Sequence, residues 1–214
     1  MSTIELINYN TDGEQLSKHQ NNQDIIEDKS NGIIPGDIAI WILIFAELFE
    51  FGLFFIIFII AKAHNPEVFS EGPQQLDTLS GIMNTFILLT SSFFIAKAVQ
   101  AIRKGRVKTS QKWIVFTFLA GATYCGVKAW EYHVNDLRGI GIETDMFFTI
   151  YYYLTFNHLL HVMFGMCGLL WVLLRSCFNA YSEEKHAGFE AAACYWHMVD
   201  LAWIIIFPLL YVLA

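Results

Sequence analysis

Hydrophobic and polar positions divide the chain in two. Up to residue 35 apolar residues are scattered among Asn, Gln, Asp and Glu, and no period emerges. Beyond Pro35 the pattern changes to long, almost uninterrupted apolar runs separated by short polar stretches. A bilayer core of about 30 Å is crossed by roughly 20 mostly apolar residues in a helix, and runs of that length are predicted at 38–61, 79–101, 113–130, 146–174 and 192–214. The expected fold is therefore all-α: an integral membrane bundle of five transmembrane helices over 36–214, preceded by a polar acidic tail over 1–35. Pro66 and Gly72-Pro73 are expected to break the chain between the first two spans, and Arg138-Gly139-Ile140-Gly141 between the third and fourth.

Composition agrees with a bilayer environment. Of the 214 residues 55% are hydrophobic and only 15% charged, an apolar share above that of water-soluble domains. The net charge of -7 comes partly from the tail, where Glu5, Asp12, Glu14, Asp24, Glu27 and Asp28 face only Lys18 and Lys29. Such a segment buries too little apolar surface to offset its ordering entropy, so it is expected to be mobile or ordered by a partner. It lacks the apolar run of a cleavable signal, which leaves insertion to the first span. No basic nucleic-acid footprint is present, and no nucleic-acid partner is expected.

Orientation follows from Lys and Arg, which stay on the cytoplasmic side during insertion. Arg103, Lys104, Arg106, Lys108 and Lys112 crowd the connection between the second and third spans, whereas the opposite connections offer little beyond Lys62, Arg138 and Lys128. This predicts a cytoplasmic N-terminus and a periplasmic C-terminus. Trp41, Trp113, Trp130 and Trp171 near span ends suit the interface, where an indole meets both apolar and wet surroundings.

Ionisable residues inside a span cost several kcal/mol unless partnered, so each marks a candidate site. Glu47 and Glu50 lie i, i+3 on the first span, His158 and His161 i, i+3 on the fourth, and His197 and Asp200 on the fifth, at overlapping depths. Glu47, Glu50, His158 and His161 form the expected proton- or lipid-associated network, since a carboxylate beside an imidazole shares a proton without a lone buried charge. Trp196, His197 and Asp200 form an expected structural polar network with the pair Lys128 and Glu131, Lys128 reaching the outer interface by snorkelling. The same residues also fit plain interhelical bonding, worth about 1 kcal/mol per bond. A His-x-x-His metal site of zinc or iron type is a third and minor reading of the cluster, since the second Glu-x-x-His of a di-iron bundle is missing, and no metal ligand is assigned. Asn84, Thr90, Ser91 and Ser92 read as packing residues.

Cys125, Cys167, Cys177 and Cys194 contain no Cys-x-x-Cys pair, which argues against a disulfide scaffold or an iron-sulfur site. Phosphate-cradling loops, nucleophile elbows and haem-attachment motifs are also missing from the sequence, so no catalytic residue is assigned.

Several runs in order resemble a known family. The first span reads Ala46-Glu47 followed by Phe54-Phe55; the fourth reads Phe156-Asn157-His158-Leu159-Leu160-His161-Val162 with Gly165; the fifth reads Tyr195-Trp196-His197-Met198-Val199-Asp200-Leu201-Ala202-Trp203 with Tyr211. From Gly36 onward the chain resembles subunit III of haem-copper oxidases. Asn157 and Leu159 stand where the oxidase pattern has glycines. The run from Asn84 to Ser92, Asp145-Met146-Phe147-Phe148 and the Leu159-Leu160 pair look closer to the NorE-like branch that accompanies nitric oxide reductase.

The resemblance implies an accessory, non-catalytic subunit in a bacterial inner (cytoplasmic) membrane. It would bind the catalytic subunit I of a haem-copper oxidase or nitric oxide reductase, preserve its active form and support proton uptake. Haem, with copper or non-haem iron, would belong to that partner, this chain holding no redox centre but phospholipid in a V-shaped cleft between its first two helices and the rest. Glu47 matches the family's intramembrane carboxylate, whereas Glu50 has no counterpart. Different functions remain open beside this one: an autonomous proton- or metal-coupled transporter, or a transient assembly factor for nitric oxide reductase.

Overall fold

The structure, a computed structural model, describes residues 38–178, 181 and 186–213, which belong to the compact unit Gly36–Ala214. The expected polar tail at 1–35 lies outside the described residues. Six helices and no strands occur among them: α1 (Ile38–His64), α2 (Pro66–Gln75), α3 (Thr78–Ile102), α4 (Val107–Leu137), α5 (Met146–Cys177) and α6 (Ala187–Tyr211).

Five of these coincide with the apolar runs, and most extend beyond them because the backbone stays helical after the apolar residues end. The sixth, α2, corrects the expectation of a simple loop at Pro66 and Gly72-Pro73. Pro66 occupies the first helical turn, where its fixed φ and missing N–H cost nothing, and Asn65 precedes it as the cap residue. Pro73 sits inside this helix near its end. Gly72 is buried against the Phe147 ring at a distance that leaves no room for a Cβ, which fixes α2 to the start of α5.

The other punctuation behaves as expected. Asp77 caps α3 by accepting from the Leu79 N–H at 3.2 Å, and Asp145 caps α5 by accepting from the Phe148 N–H at 2.9 Å. After α4, Gly139 adopts φ +73°, and the N–H groups of Gly139 and Ile140 return to the carbonyls of Asp136 and Asn135, both at 2.9 Å. This closes the helix end in the manner that favours glycine at that position.

Four helices, α1, α3, α5 and α6, are long and apolar enough to cross a membrane. The fourth in chain order, α4, has 31 residues but interleaves its apolar positions with Thr, Gly, Tyr, Lys128 and Glu131. Helices α3 and α6 run antiparallel, Arg103 at the end of α3 pairing with Glu190 at the start of α6 at 2.7 Å, whereas α1 and α6 run parallel, Lys62 near the end of α1 donating to the Leu213 carbonyl just beyond α6.

In the packing, α6 is the most enclosed, with 56% of its most apolar window buried against 17% for α1. Helices α3, α4, α5 and α6 pack in a ring, and α1 lies on α5 and α6. A cleft dividing the first two long helices from the rest is therefore not the arrangement found: α3 belongs to the main group. Beside Leu88, Ile95 and Ile102, its inward positions Ser80, Gly81, Asn84, Ser91, Ala98 and Ala101 are small or polar, which lets its backbone approach α4 and α6 closely. Outward positions such as Ile42, Phe45, Phe49, Phe86, Phe116, Phe164 and Trp171 are exposed and apolar, as lipid or a membrane partner requires.

Candidate functional site

Helical spacing puts Glu47 and Glu50 on one face of α1, and that face meets α5. The Glu47 Oε2 lies 2.6 Å from His161 Nε2, and the other ring nitrogen, Nδ1, is 2.7 Å from the Asn157 carbonyl one turn back. A carbonyl only accepts, so Nδ1 carries a hydrogen and the Glu47 contact requires one further proton, held on either partner. Glu50 joins through the Asn157 side-chain amide, which donates to Oε1 at 2.9 Å. Glu47 and His161 are mostly enclosed, whereas Glu50 is exposed. Phe51 covers the imidazole, its ring centroid 5.1 Å from that of His161.

His158 does not join this group. It is fully buried behind Phe51, between Tyr124 and Trp203, with ring centroids 5.7 and 5.2 Å away, and neither ring nitrogen has a hydrogen-bond partner. The expected four-residue network thus consists of Glu47, Glu50 and His161, with Asn157 as the organiser. Asn157, which stands where the oxidase pattern has a glycine, links Glu50 and His161, a cross-helix role that spacing alone does not reveal.

A second cluster lies inside the ring of helices. Lys128 is fully buried, which corrects the expectation that it snorkels to the interface. Its ammonium donates to Glu131 Oε2 at 3.1 Å, to the Tyr151 hydroxyl at 3.2 Å and to the Tyr211 hydroxyl at 2.9 Å, using all three hydrogens. Both tyrosines then donate to Glu131 Oε1, each at 2.5 Å. The charge pair is closed on itself by helices α4, α5 and α6, so neither ion is left uncompensated. Tyr151 and Tyr211 are 20 and 80 residues from Glu131 along the chain, beyond the reach of any local pattern.

The third group is more dispersed. The Trp196 indole donates to Ser91 Oγ at 3.0 Å and lies in a slot between Gly121 and Gly165, where a Cβ would approach the ring to 2.8 and 3.0 Å. His197 is exposed and meets Ser92 Oγ through Nδ1 at 2.7 Å. Asp200 is buried with neither carboxylate oxygen hydrogen-bonded. Trp196 meets Ser91, whereas His197 and Asp200, i, i+3 on α6, both lie beside Ser92; Thr90 bonds back to its own helix at Phe86.

An apolar outer surface around a hydrogen-bonded interior defines a multi-pass membrane protein, one whose polar groups face helix seams. Residues 30–214 match the family described as cytochrome c oxidase subunit III, and the chain belongs to it. It is 33% identical over 178 residues to cytochrome c oxidase subunit 3 of Thermostichus vulcanus, covering 83% of this chain and 87% of that protein. Cytochrome c oxidase subunit 3 of a Synechocystis species is 37% identical over 160 residues, covering 74% of this chain and 67% of the relative. The corresponding protein of Branchiostoma lanceolatum is 32% identical over 130 residues, covering 61% of this chain and 48% of the relative.

Proposed function

We propose that the chain is a non-catalytic accessory subunit of a bacterial respiratory complex, bound in the inner membrane to the catalytic subunit I of a haem-copper oxidase. The observation that carries this reading is membership of the oxidase subunit III family over residues 30–214. The haem and copper belong to the partner in this reading. The role of this chain is to hold subunit I in its active form and to assist proton uptake through the Glu47–His161 pair and bound lipid. A groove of about 570 Å³ between α1 and α5, lined by Phe54, Ile57, Met146 and Ile150, supports the lipid component.

The topology belongs to the same proposal. Helix α4 is also a span, the third in chain order, supported by Lys128 and Glu131 pointing away from lipid and by its place in the ring between α3 and α5. The N-terminus is cytoplasmic, supported by Arg103, Lys104 and Arg106 between α3 and α4. Residues 1–35 act as a separate polar tail. The run from Asn84 to Ser92 and Leu159-Leu160 favour the branch that accompanies nitric oxide reductase, which makes that enzyme the alternative partner.

The test is replacement of the native chain by its Glu47→Gln form in the host membrane. The substituted chain is expected to insert normally while the assembled complex loses proton-coupling efficiency or inactivates sooner during turnover. Unchanged coupling and durability would reduce the Glu47–His161 pair to a packing contact.

A further inference from the structure

The Glu47 side chain meets His161 in a geometry that does more than share a proton. The imidazole is oriented from behind, Nδ1–H donating to the Asn157 carbonyl, so the Nε2 lone pair is directed at the carboxylate. A backbone carbonyl on the far ring nitrogen is the arrangement that fixes the tautomer and direction of a metal-ligating histidine. Glu50, one turn along α1, brings a second carboxylate, and one ligand atom from each of Glu47, Glu50 and His161 lies within 4.8 Å of the other two. Two ligands on one zinc ion, each about 2.0–2.1 Å from it, stand roughly 3.3 Å apart in tetrahedral geometry. The Glu47–His161 separation of 2.6 Å is a hydrogen-bond distance, so the two side chains would part by about 0.7 Å to admit an ion between them.

Charge points the same way. An exposed carboxylate in the middle of an apolar span is costly, and among the described residues the hydrogen-bond partner of Glu50 is the neutral Asn157 amide. Two carboxylates and one neutral imidazole carry a charge of two, which a divalent cation balances completely and a single proton does not. Asn157 supports two of the ligands at once, by its carbonyl to His161 and by its amide to Glu50. The exposed side of Glu50 leaves a fourth position open to water or to a partner.

We infer that Glu47, Glu50 and His161 form a binding site for a divalent transition ion of the zinc class, which clamps the loosely packed α1 onto α5. The set differs from a His-x-x-His site because His158 lies behind Phe51 and does not take part. The inference rests on the Glu47–His161 pair of the accessory-subunit reading, the ion taking the place of the shared proton so that proton uptake through the pair stops while zinc is bound, and it does not depend on the identity of the partner.

The test is zinc loading of the purified full-length chain, with whatever subunits accompany it, followed by gel filtration in chelator-free buffer, elemental analysis and thermal unfolding. One zinc ion per chain should be retained, and its removal by chelator should lower the unfolding temperature. Glu50→Gln, an exposed substitution that leaves the Glu47–His161 contact in place, should weaken zinc binding by at least about tenfold. Asn157→Leu should weaken it to a smaller degree, and Glu67→Gln on α2 should leave it unchanged. Wild-type protein that retains no zinc, or Glu50→Gln protein that retains it as the wild type does, would overturn the inference. Haem content of the same preparation reports on the partner separately, so either idea can fail alone.

Discussion

Lys128 and Glu131, one turn apart on α4, form an ion pair of 3.1 Å with no solvent exposure at the lysine, and every hydrogen of the ammonium is used by Glu131, Tyr151 or Tyr211. Removing one partner of such a pair strands the other charge in the interior. Lys128→Met is therefore expected to destabilise the bundle by about 3–5 kcal/mol. Thermal unfolding of the detergent-solubilised chain checks this, and a substitution without effect would mean that the pair is hydrated in the native membrane.

The slot around Trp196 gives a steric prediction. A Cβ on Gly121 would stand 2.8 Å from the indole, whereas nothing lies within 4 Å of one on Gly126. Gly121→Val should cost about 1–3 kcal/mol through overpacking, while Gly126→Ala should be neutral. Unfolding curves of the two variants, measured side by side, make the comparison.

Topology can be read with reporter fusions. A reporter active only outside the cytoplasm should be silent when fused after Arg106 and active when fused after Gly139 if α4 crosses the membrane in the proposed direction. Equal activity at both points would contradict a span at α4.

Long apolar runs made the principal helices legible, because membrane thickness sets their length and lipid sets their composition. The short α2 was hidden by its prolines, which mark breaks in most contexts but here occupy the first turn and the last part of a helix. Depth and i, i+3 spacing bring Glu47 and Glu50 to the level of His158 and His161 without saying which histidine they meet. That His158 turns toward Tyr124 and Trp203 was not legible, since spacing assigns a face only approximately and packing decides the neighbours. Lys128 was misread for a related reason: sequence position placed it near a span end, while its tyrosine partners come from α5 and α6 and draw it inward.

The most direct measurement is mild-detergent purification of the tagged chain from its native membrane, with haem spectroscopy and mass spectrometry of what accompanies it. Stoichiometric co-elution with a haem-containing catalytic subunit I is the predicted result. A colourless chain that elutes alone, while the oxidase in the same extract remains intact, would contradict the accessory-subunit reading and favour an autonomous transporter or a transient assembly factor.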